Sequence, residues 1–580
     1  MQIPCTREEM RALGWDEPDV VLVSGDALLD TPHSGTAVIA RVLLDAGYRV
    51  GVIAQPDLRT GDDIRRLGAP RLFWGVTAGC VDSLVANRTA SGRVRRQDDF
   101  TPGGVNDRRP DRASIAYANH IRSAFRPCAP IILGGVEASL RRIAHYDFWS
   151  DGVRRPLLFD AKADALVYGM AERTVLQLAA ALRDGADWRG LRGLCHAAPE
   201  PPADALVLPS FAALTDPADP EAARRAFLRM FRLFAANQDP VTARPLAQQV
   251  DRRWLVHNPP AAPLETAELD RVHALPFTHD VHPRDAARGD VRALDTVRFS
   301  LAAHRGCYGE CAFCAIAMHQ GRRVTWRSRE SLVDEARRYT RHPAFDGIIR
   351  DVGGPTANMY GFECPRKKSA GACAGKACLF PEVCAALPVT HGPQIALLDA
   401  LRAVPGVRRV FVASGVRPDL VLADARHGDA YLDRLCAHHV SGQLKLAPEH
   451  SEPGVLRLMR KPGIEGAMTF RARFEARSRA HGLKQYLTYY FIAAHPGCTE
   501  DDMRRLREFV QTRLRLLPEQ VQIFTPTPST WSTTVWWTGL DPDTERPVFV
   551  EKRAAARQRQ KDLLTGGNQA RAKSPKHSGR

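Results

Sequence analysis

TVRFSLAAHRGCYGECAFC, residues 296–314, decides the fold of this chain. Its first half is an apolar run that reads as a strand. Its second half is a tight loop carrying Cys307, Cys311 and Cys314 at C-x3-C-x2-C spacing, with Gly306 and Gly309 free to make the close turns such a loop needs. Three thiolates suit three corners of an iron–sulfur cube, whereas a saturated tetranuclear cluster usually has four cysteine ligands. A closed structural zinc site would also want four ligands, commonly in paired C-x2-C hooks. Phe313 gives the loop an apolar flank before its last cysteine.

Downstream, the alternation continues. FDGIIRDVGG, VRRVFVASGV, GQLKLAPEH, QYLTYYFIAAHPG and QVQIFTPTP read as further strands with helix-periodic segments between most of them. Six strand–helix steps predict a partial or complete (β/α) barrel over residues 291–545, with chemistry where strands end. Gly353 and Gly354, Glu449 and His450, and His495-Pro496-Gly497 all fall at such ends.

Upstream, DVVLVSGD, GTAVIARVLLDAGY and YRVGVIAQPD form strand, helix and strand, a βαβ unit that requires a parallel sheet. The pattern recurs through ILGGVEAS and ADALVYGMAERTVLQL, predicting a doubly wound α/β domain over residues 1–200. Residues 201–290, rich in Pro, Ala and charge, read as a helical linker or insertion.

The 580 residues leave room for about three domains. With 44% hydrophobic and 25% charged residues the composition is globular. No run approaches the roughly 20 apolar residues of a membrane span. The start has no basic-then-apolar leader, so a cytoplasmic protein without membrane contact is expected. The net charge is +16, and residues 546–580 hold ten Lys or Arg against Glu551 and Asp562. Half of the excess therefore sits in a basic C-terminal extension, with a disordered end expected. Weak RNA contact and mere solubility both suit such a tail. A second cysteine set, Cys364, Cys373, Cys378 and Cys384, is spaced C-x8-C-x4-C-x5-C in an insertion over 364–384. An auxiliary cluster, a zinc site and a reduced cysteine-rich loop all remain open for it.

The C-x3-C-x-aromatic-C loop after a first barrel strand resembles the signature of the radical S-adenosylmethionine (radical SAM) superfamily. VSGDALLDTP, DVGGPTANMYG, VFVASGVRPDL, KLAPEH and YFIAAHPG resemble its YgiQ family, over about residues 15–560. That resemblance implies that Cys307, Cys311 and Cys314 bind a [4Fe–4S] cluster. S-adenosylmethionine would chelate the open iron and be cleaved reductively to a 5′-deoxyadenosyl radical, on a substrate it leaves unknown. It implies an electron donor such as flavodoxin or ferredoxin. It also implies cofactor contacts from Gly353, Gly354, Pro355 and Glu449, although Pro355 stands where relatives of the superfamily carry a carboxylate. The amino-terminal domain resembles cobalamin-binding domains. Its Asp30-Thr-Pro-His33-Ser-Gly35 places the histidine one residue away from the D-x-H-x-x-G pattern, so cobalamin is possible but unproven. Within the class, a cobalamin-dependent or RNA-modifying methyl or methylthio transferase is a further reading. Outside it, the alternative is a zinc-stabilised nucleic-acid-binding protein without catalysis.

Overall fold

A computed structural model describes residues 2–566. The amino-terminal half is built on one nine-stranded sheet. Its strands are β1 Val20–Ser24, β2 Val50–Ala54, β3 Phe73–Thr77, β4 Ile131–Leu133, β5 Ala165–Val167, β6 Leu194–Ala198, β7 Leu206–Leu208, β8 Leu246–Val250 and β9 Arg253–His257. The order is β2-β1-β3-β4-β5-β6-β9-β8-β7. The first five run parallel, with Val20 opposite both Val50 and Phe73. From β6 onward the sheet is mixed, because β6 is antiparallel to both β5 and β9.

The parallel part is apolar along every strand because both faces are covered. Val21, Val23, Trp74 and Val76 enter one core, while Val20, Leu22, Val50 and Phe73 enter the other. Alternate residues of each strand therefore serve opposite layers. The helix Gly35–Asp45, capped by the Ser34 side chain, covers the second face and returns the chain from β1 to β2.

Residues 201–290 are not a plain helical linker. They supply β7, β8 and β9 to the same sheet, besides the helix Pro220–Ala236. LAQQV and RWLVH pair as an antiparallel hairpin, which polar residues at Gln248, Gln249 and Arg253 conceal in the sequence.

The second half holds six successive parallel steps. They are β10 Leu301–Ala302, β11 Ile348–Ile349 with β12 Val352–Gly353, β13 Arg409–Val410, β14 Gln443–Glu449, β15 Tyr486–Ala493 and β16 Gln520–Ile523. β10 pairs with β12, β11 with β13, and β14 with β15 and then β16. Between β13 and β14 the bond from Val416 N to Lys445 O, 3.3 Å, carries the wall on. Among the described residues β16 does not pair with β10, so the barrel is partial and open.

The start of the basic extension is ordered structure rather than a free tail. Helix Ala554–Thr565 buries Leu564 in the barrel core, and Gln560 Nε2 donates to Cys498 O at 3.2 Å. The last residues of that expected tail lie outside the described residues. The two halves are fastened by Ser529 Oγ to Leu140 O (2.7 Å) and Trp536 Nε1 to Tyr146 Oη (3.2 Å). Among the described residues no helix is long and apolar enough to cross a membrane.

Candidate functional site

The sheet order reverses direction between β1 and β3, where connections leave to opposite sides. In open parallel sheets a crevice forms beyond the strand ends at such a point. Here that crevice is a cavity of about 510 Å³, closed on its far side by the barrel. The sheet side lines it with Gly35, Gly75, Gly79, Gly134, Gly135 and Gly169. At two of these, bulk is impossible. A Cβ on Gly79 would lie 2.2 Å from the Asp26 carboxylate, and one on Gly135 would lie 2.4 Å from Thr77 Oγ1. The barrel lines it with Ser300 to Ala302, His304, Arg305 and Gly353 to Pro355.

Polar groups concentrate on the barrel side. Arg305 reaches across to Glu172 at 2.5 Å, a buried ion pair that ties the two halves at the cavity wall. His304 is buried in this wall, with the Thr356 backbone beside its ring. Burial holds His304 and His319 down to about 4, and holds His273 well below the ordinary range. These imidazoles are neutral at physiological pH. His319 Nδ1 is 2.9 Å from Ser139 Oγ.

The cysteine loop leaves β10 just beyond this wall. Gly306 has φ +82°, and a Cβ there would sit 2.1 Å from Arg323 O. Only glycine lets the chain turn beneath the short antiparallel ladder of His304–Arg305 with Thr325–Trp326. Gly309 N donates to Cys307 Sγ at 3.3 Å, and Arg417 donates to Cys311 Sγ at 3.8 Å. A Cβ on Gly309 would stand 3.3 Å from Cys307 Sγ and 3.5 Å from Cys311 Sγ, so the glycine keeps open a hollow that both sulfurs border. Burial pushes the Cys314 thiol up to about 12 and raises Cys307 too. Arg417 is paired with Asp419 at 2.5 Å, so the Cys311 sulfur lies beside a buried ion pair.

Ala312 is clamped on both sides. Its N–H donates to Met459 O and its carbonyl accepts from Ser532 N, each at 2.9 Å. Phe313 stands edge-on to His495, whose Nε2 is 2.7 Å from Ser532 Oγ.

Gly353, Gly354 and Pro355 line the cavity at the end of β12. A Cβ on Gly354 would approach His304 Nε2 and His304 O to 2.6 Å, which explains a glycine there. Glu449 lies apart from the cavity lining and beside the cysteine loop. A register shift in β14 and a φ of +72° turn it inward, where Lys461 is 3.9 Å away. Burial raises its carboxyl to about 7 against the pull of Lys461 and Arg417. His450 and His495 are packed structurally, with His450 Nε2 3.5 Å from Cys498 Sγ. His33 lines the cavity, but its Nε2 lies 2.8 Å from Ser300 O, so that nitrogen bridges the two halves. Asp30 is paired with the buried Arg41.

Glu172, His273, His304, Arg305 and His319 were not singled out by the sequence. His304 and Arg305 are adjacent just after β10, whereas Glu172, His273 and His319 lie on three separate helices, and no local spacing links them.

Comparison with known proteins adds the family. Residues 2–300 match the family model described as Radical SAM N-terminal. A UPF0313 protein of Fusobacterium nucleatum is 48% identical over 564 residues, covering 97% of this chain and 98% of its own length. A UPF0313 protein of Thermotoga maritima is 46% identical over 576 residues, covering 99% and 100%. Among solved structures, the radical S-adenosylmethionine methyltransferase TsrM from Kitasatospora setae, with cobalamin and a [4Fe-4S] cluster bound, aligns at TM-score 0.50. It is 16% identical and covers 90% of this chain and 77% of that one. The cobalamin-dependent radical enzyme OxsB with aqua-cobalamin bound aligns at 0.48, with 12% identity and coverage of 89% and 55%.

Proposed function

The chain belongs to the UPF0313 family and carries the radical SAM amino-terminal region, and from that premise we propose that it is a radical SAM enzyme using Cys307, Cys311 and Cys314 to hold a [4Fe–4S] cluster. We place it in the YgiQ group on the motifs at residues 23–32, 351–361, 410–420, 445–450 and 490–497.

The observation that carries this reading is the loop at the end of β10. Two of its sulfurs border one hollow kept open by Gly309, with the Arg417 guanidinium against Cys311. A donor set of three thiols, one of them accepting from Arg417, fits an anionic thiolate cluster. Held by Cys307, Cys311 and Cys314, such a cluster would supply the single electron needed for reductive cleavage of S-adenosylmethionine.

The chain's own residues do the rest. Arg417 donates to the Cys311 sulfur. The backbone of Gly353 to Pro355 would meet the amino acid part of the cofactor from the cavity side, and Glu449 would approach it from beside the cysteine loop. Met459, Phe313 and His495 close the loop against water. A small one-electron protein of the flavodoxin or ferredoxin type would deliver the electron, in the cytoplasm.

Within this class, a cobalamin-dependent reaction is favoured by one feature. The cavity is walled by six glycines on the sheet side and faces the barrel, which suits a broad, flat ligand. Asp30 is held by Arg41 and His33 Nε2 by Ser300 O, so the two would not act on cobalamin as a hydrogen-bonded Asp–His pair.

The test is anaerobic reconstitution of the full chain, with iron and sulfide counts and 5′-deoxyadenosine measured after dithionite and S-adenosylmethionine. Iron with nucleoside formed, and both lost in Cys311→Ala, supports the reading. Zinc in place of iron with no nucleoside would refute it in favour of a zinc-stabilised binding protein.

A further inference from the structure

Between β3 and β4 the chain makes an excursion that the chemistry above does not use. It leaves β3 at the cavity, which Gly79 and Cys80 line, and passes through helix Ser83–Asn87. Residues 88–106 then fold as a small antiparallel ribbon, with Arg88 opposite Val94 and Gln97 opposite Val105. The run Arg93-Val94-Arg95-Arg96 lies in its middle and is held from both sides. On one side Thr89 N donates to Arg93 O at 2.8 Å, and Arg95 N donates to Asn87 O at 2.7 Å. On the other, Asn106 N donates to Arg96 O at 3.1 Å, and Asn106 Nδ2 donates to Arg95 O at 3.0 Å. The turn passes through Gly92 at φ +81°, where an added Cβ would meet nothing within 4 Å, as at a projecting tip.

The root of the ribbon is neutralised and its middle run is not. Arg109 is buried between Asp26 (2.5 Å) and Asp98 (3.1 Å). Arg88 meets Asp111 and Arg112 meets Asp147, each at 2.5 Å. Arg93, Arg95 and Arg96 are exposed, and among the described residues none of them meets a carboxylate. The fold thus holds three guanidinium groups within four residues, on a fixed backbone, without an internal counter-charge. Arg95 Nε is spent on Arg88 O at 3.1 Å. Guanidinium forks match the paired oxygens of a phosphate. A stable protein interface needs about 800 Å² per partner with an apolar centre. The exposed apolar side chains of the ribbon are Val94 and Val105, 63% and 55% exposed. Two valines do not make such a centre, so a narrow cationic ribbon of this kind suits a phosphodiester strand rather than a protein face.

We propose that Arg93, Arg95 and Arg96 bind the phosphodiester backbone of a nucleic-acid strand and hold it at the sheet edge that carries the cavity. Contacts of this class set affinity and salt dependence and leave base sequence unread. The proposal goes beyond the radical SAM reading and rests on the ribbon alone.

The experiment is a fluorescence-anisotropy titration of the full-length protein with a single-stranded RNA of about 20 nucleotides and a DNA duplex of the same length, between about 50 and 200 mM salt. At roughly 0.7 per phosphate on a single strand, three contacts give a slope near −2 in log affinity against log salt. Arg93→Gln/Arg95→Gln/Arg96→Gln should bind the RNA more weakly and flatten the slope by about 2, so the wild type loses roughly 20-fold more affinity over that range. Arg93→Lys/Arg95→Lys/Arg96→Lys should keep the slope and lose part of the affinity. An arginine-dependent slope on RNA or on DNA supports the proposal and names the strand. Unchanged affinity and slope in the glutamine variant overturn it, as does equal binding of polyglutamate, which marks plain attraction to polyanions. Removal of residues 567–580 should leave the arginine-dependent part of the slope in place, and its disappearance with them overturns the ribbon as the site. Should the glutamine variant not fold, Arg93→Gln/Arg96→Gln spares the Arg95 contact and should flatten the slope by about 1.4. A protein that makes no 5′-deoxyadenosine can still meet this test, so the two readings fail separately.

Discussion

Gly306 and Gly321 bracket the cysteine loop, and alanine at each separates two costs. Both have positive φ, +82° and +87°, so either alanine carries strain of order 1–3 kcal/mol. At Gly321 nothing lies within 4 Å of the added methyl, so strain is the whole effect. At Gly306 the methyl would sit 2.1 Å from Arg323 O, so the ladder of His304–Arg305 with Thr325–Trp326 must open by roughly an ångström. Its hydrogen bonds contribute about 1 kcal/mol each. Gly306→Ala should therefore cost about 3–5 kcal/mol. The excess over Gly321→Ala, about 2 kcal/mol, should lower cluster affinity roughly 30-fold further, at 1.4 kcal/mol per tenfold. Urea unfolding of anaerobic apo-protein gives the stabilities. Iron retention against a chelator gives the affinity, and hydrogen exchange at the Thr325 and Trp326 amides locates the opening. Equal stability and equal iron retention in the two variants would refute the steric explanation for Gly306.

Arg327 and Glu335 form an ion pair about 1% exposed on each side, and Tyr339 Oη also donates to Glu335, at 2.8 Å. Glu335→Gln should cost about 3–5 kcal/mol in urea unfolding by stranding the guanidinium, while Arg327→Met/Glu335→Leu should recover most of it. Burial works against ionising Asp424, but hydrogen bonds from His391 and the His427 backbone hold its carboxyl well below the ordinary range. Its contribution is complete above the unfolded value near 4 and is lost as pH falls through the depressed folded value. Asp424→Asn should thus be less stable at pH 7, with the gap closing below about pH 4 in an acid unfolding series. Cys311→Ala should leave the melting of apo-protein within about 1 kcal/mol of wild type, because the thiol is only partly buried, while abolishing iron retention. Arg305→Met leaves Glu172 buried without its partner and should cost a few kcal/mol, read as separate unfolding of the two halves in calorimetry.

The parallel strands were legible because both faces of each are buried, which leaves uninterrupted runs such as Val20–Ser24 and Val50–Ala54. The hairpin of β8 and β9 was not. Gln248 is wholly buried there, with its amide spent on Ala144 N and Pro209 O, so a core position reads as polar. The final helix hid for a related reason. It buries Arg557 and Gln560 with Ala556 and Leu564, so little apolar periodicity marks its inner face. The cysteine loop was legible as local spacing. Glu449 was reached only through the family resemblance, and Arg417 and Ser532 not at all, because they come to the loop from far along the chain and nothing local announces a contact of that range. The cavity depends on strand order, which sequence periodicity does not encode.

The clasp on Ala312 has a consequence in time. Its second half comes from Ser532, made about 220 residues after Cys314. At roughly 5–20 residues per second, a ribosome takes on the order of 10–40 seconds to synthesise that interval. During it the three thiols are covalently complete but lack their outer latch. A metal-delivering protein would find the loop most accessible then. Once Trp531–Thr538 has docked and the final helix has seated Leu564, loading requires local opening. Nascent chains truncated before residue 531 should accordingly accept iron faster than the finished protein, a difference of rate rather than of affinity.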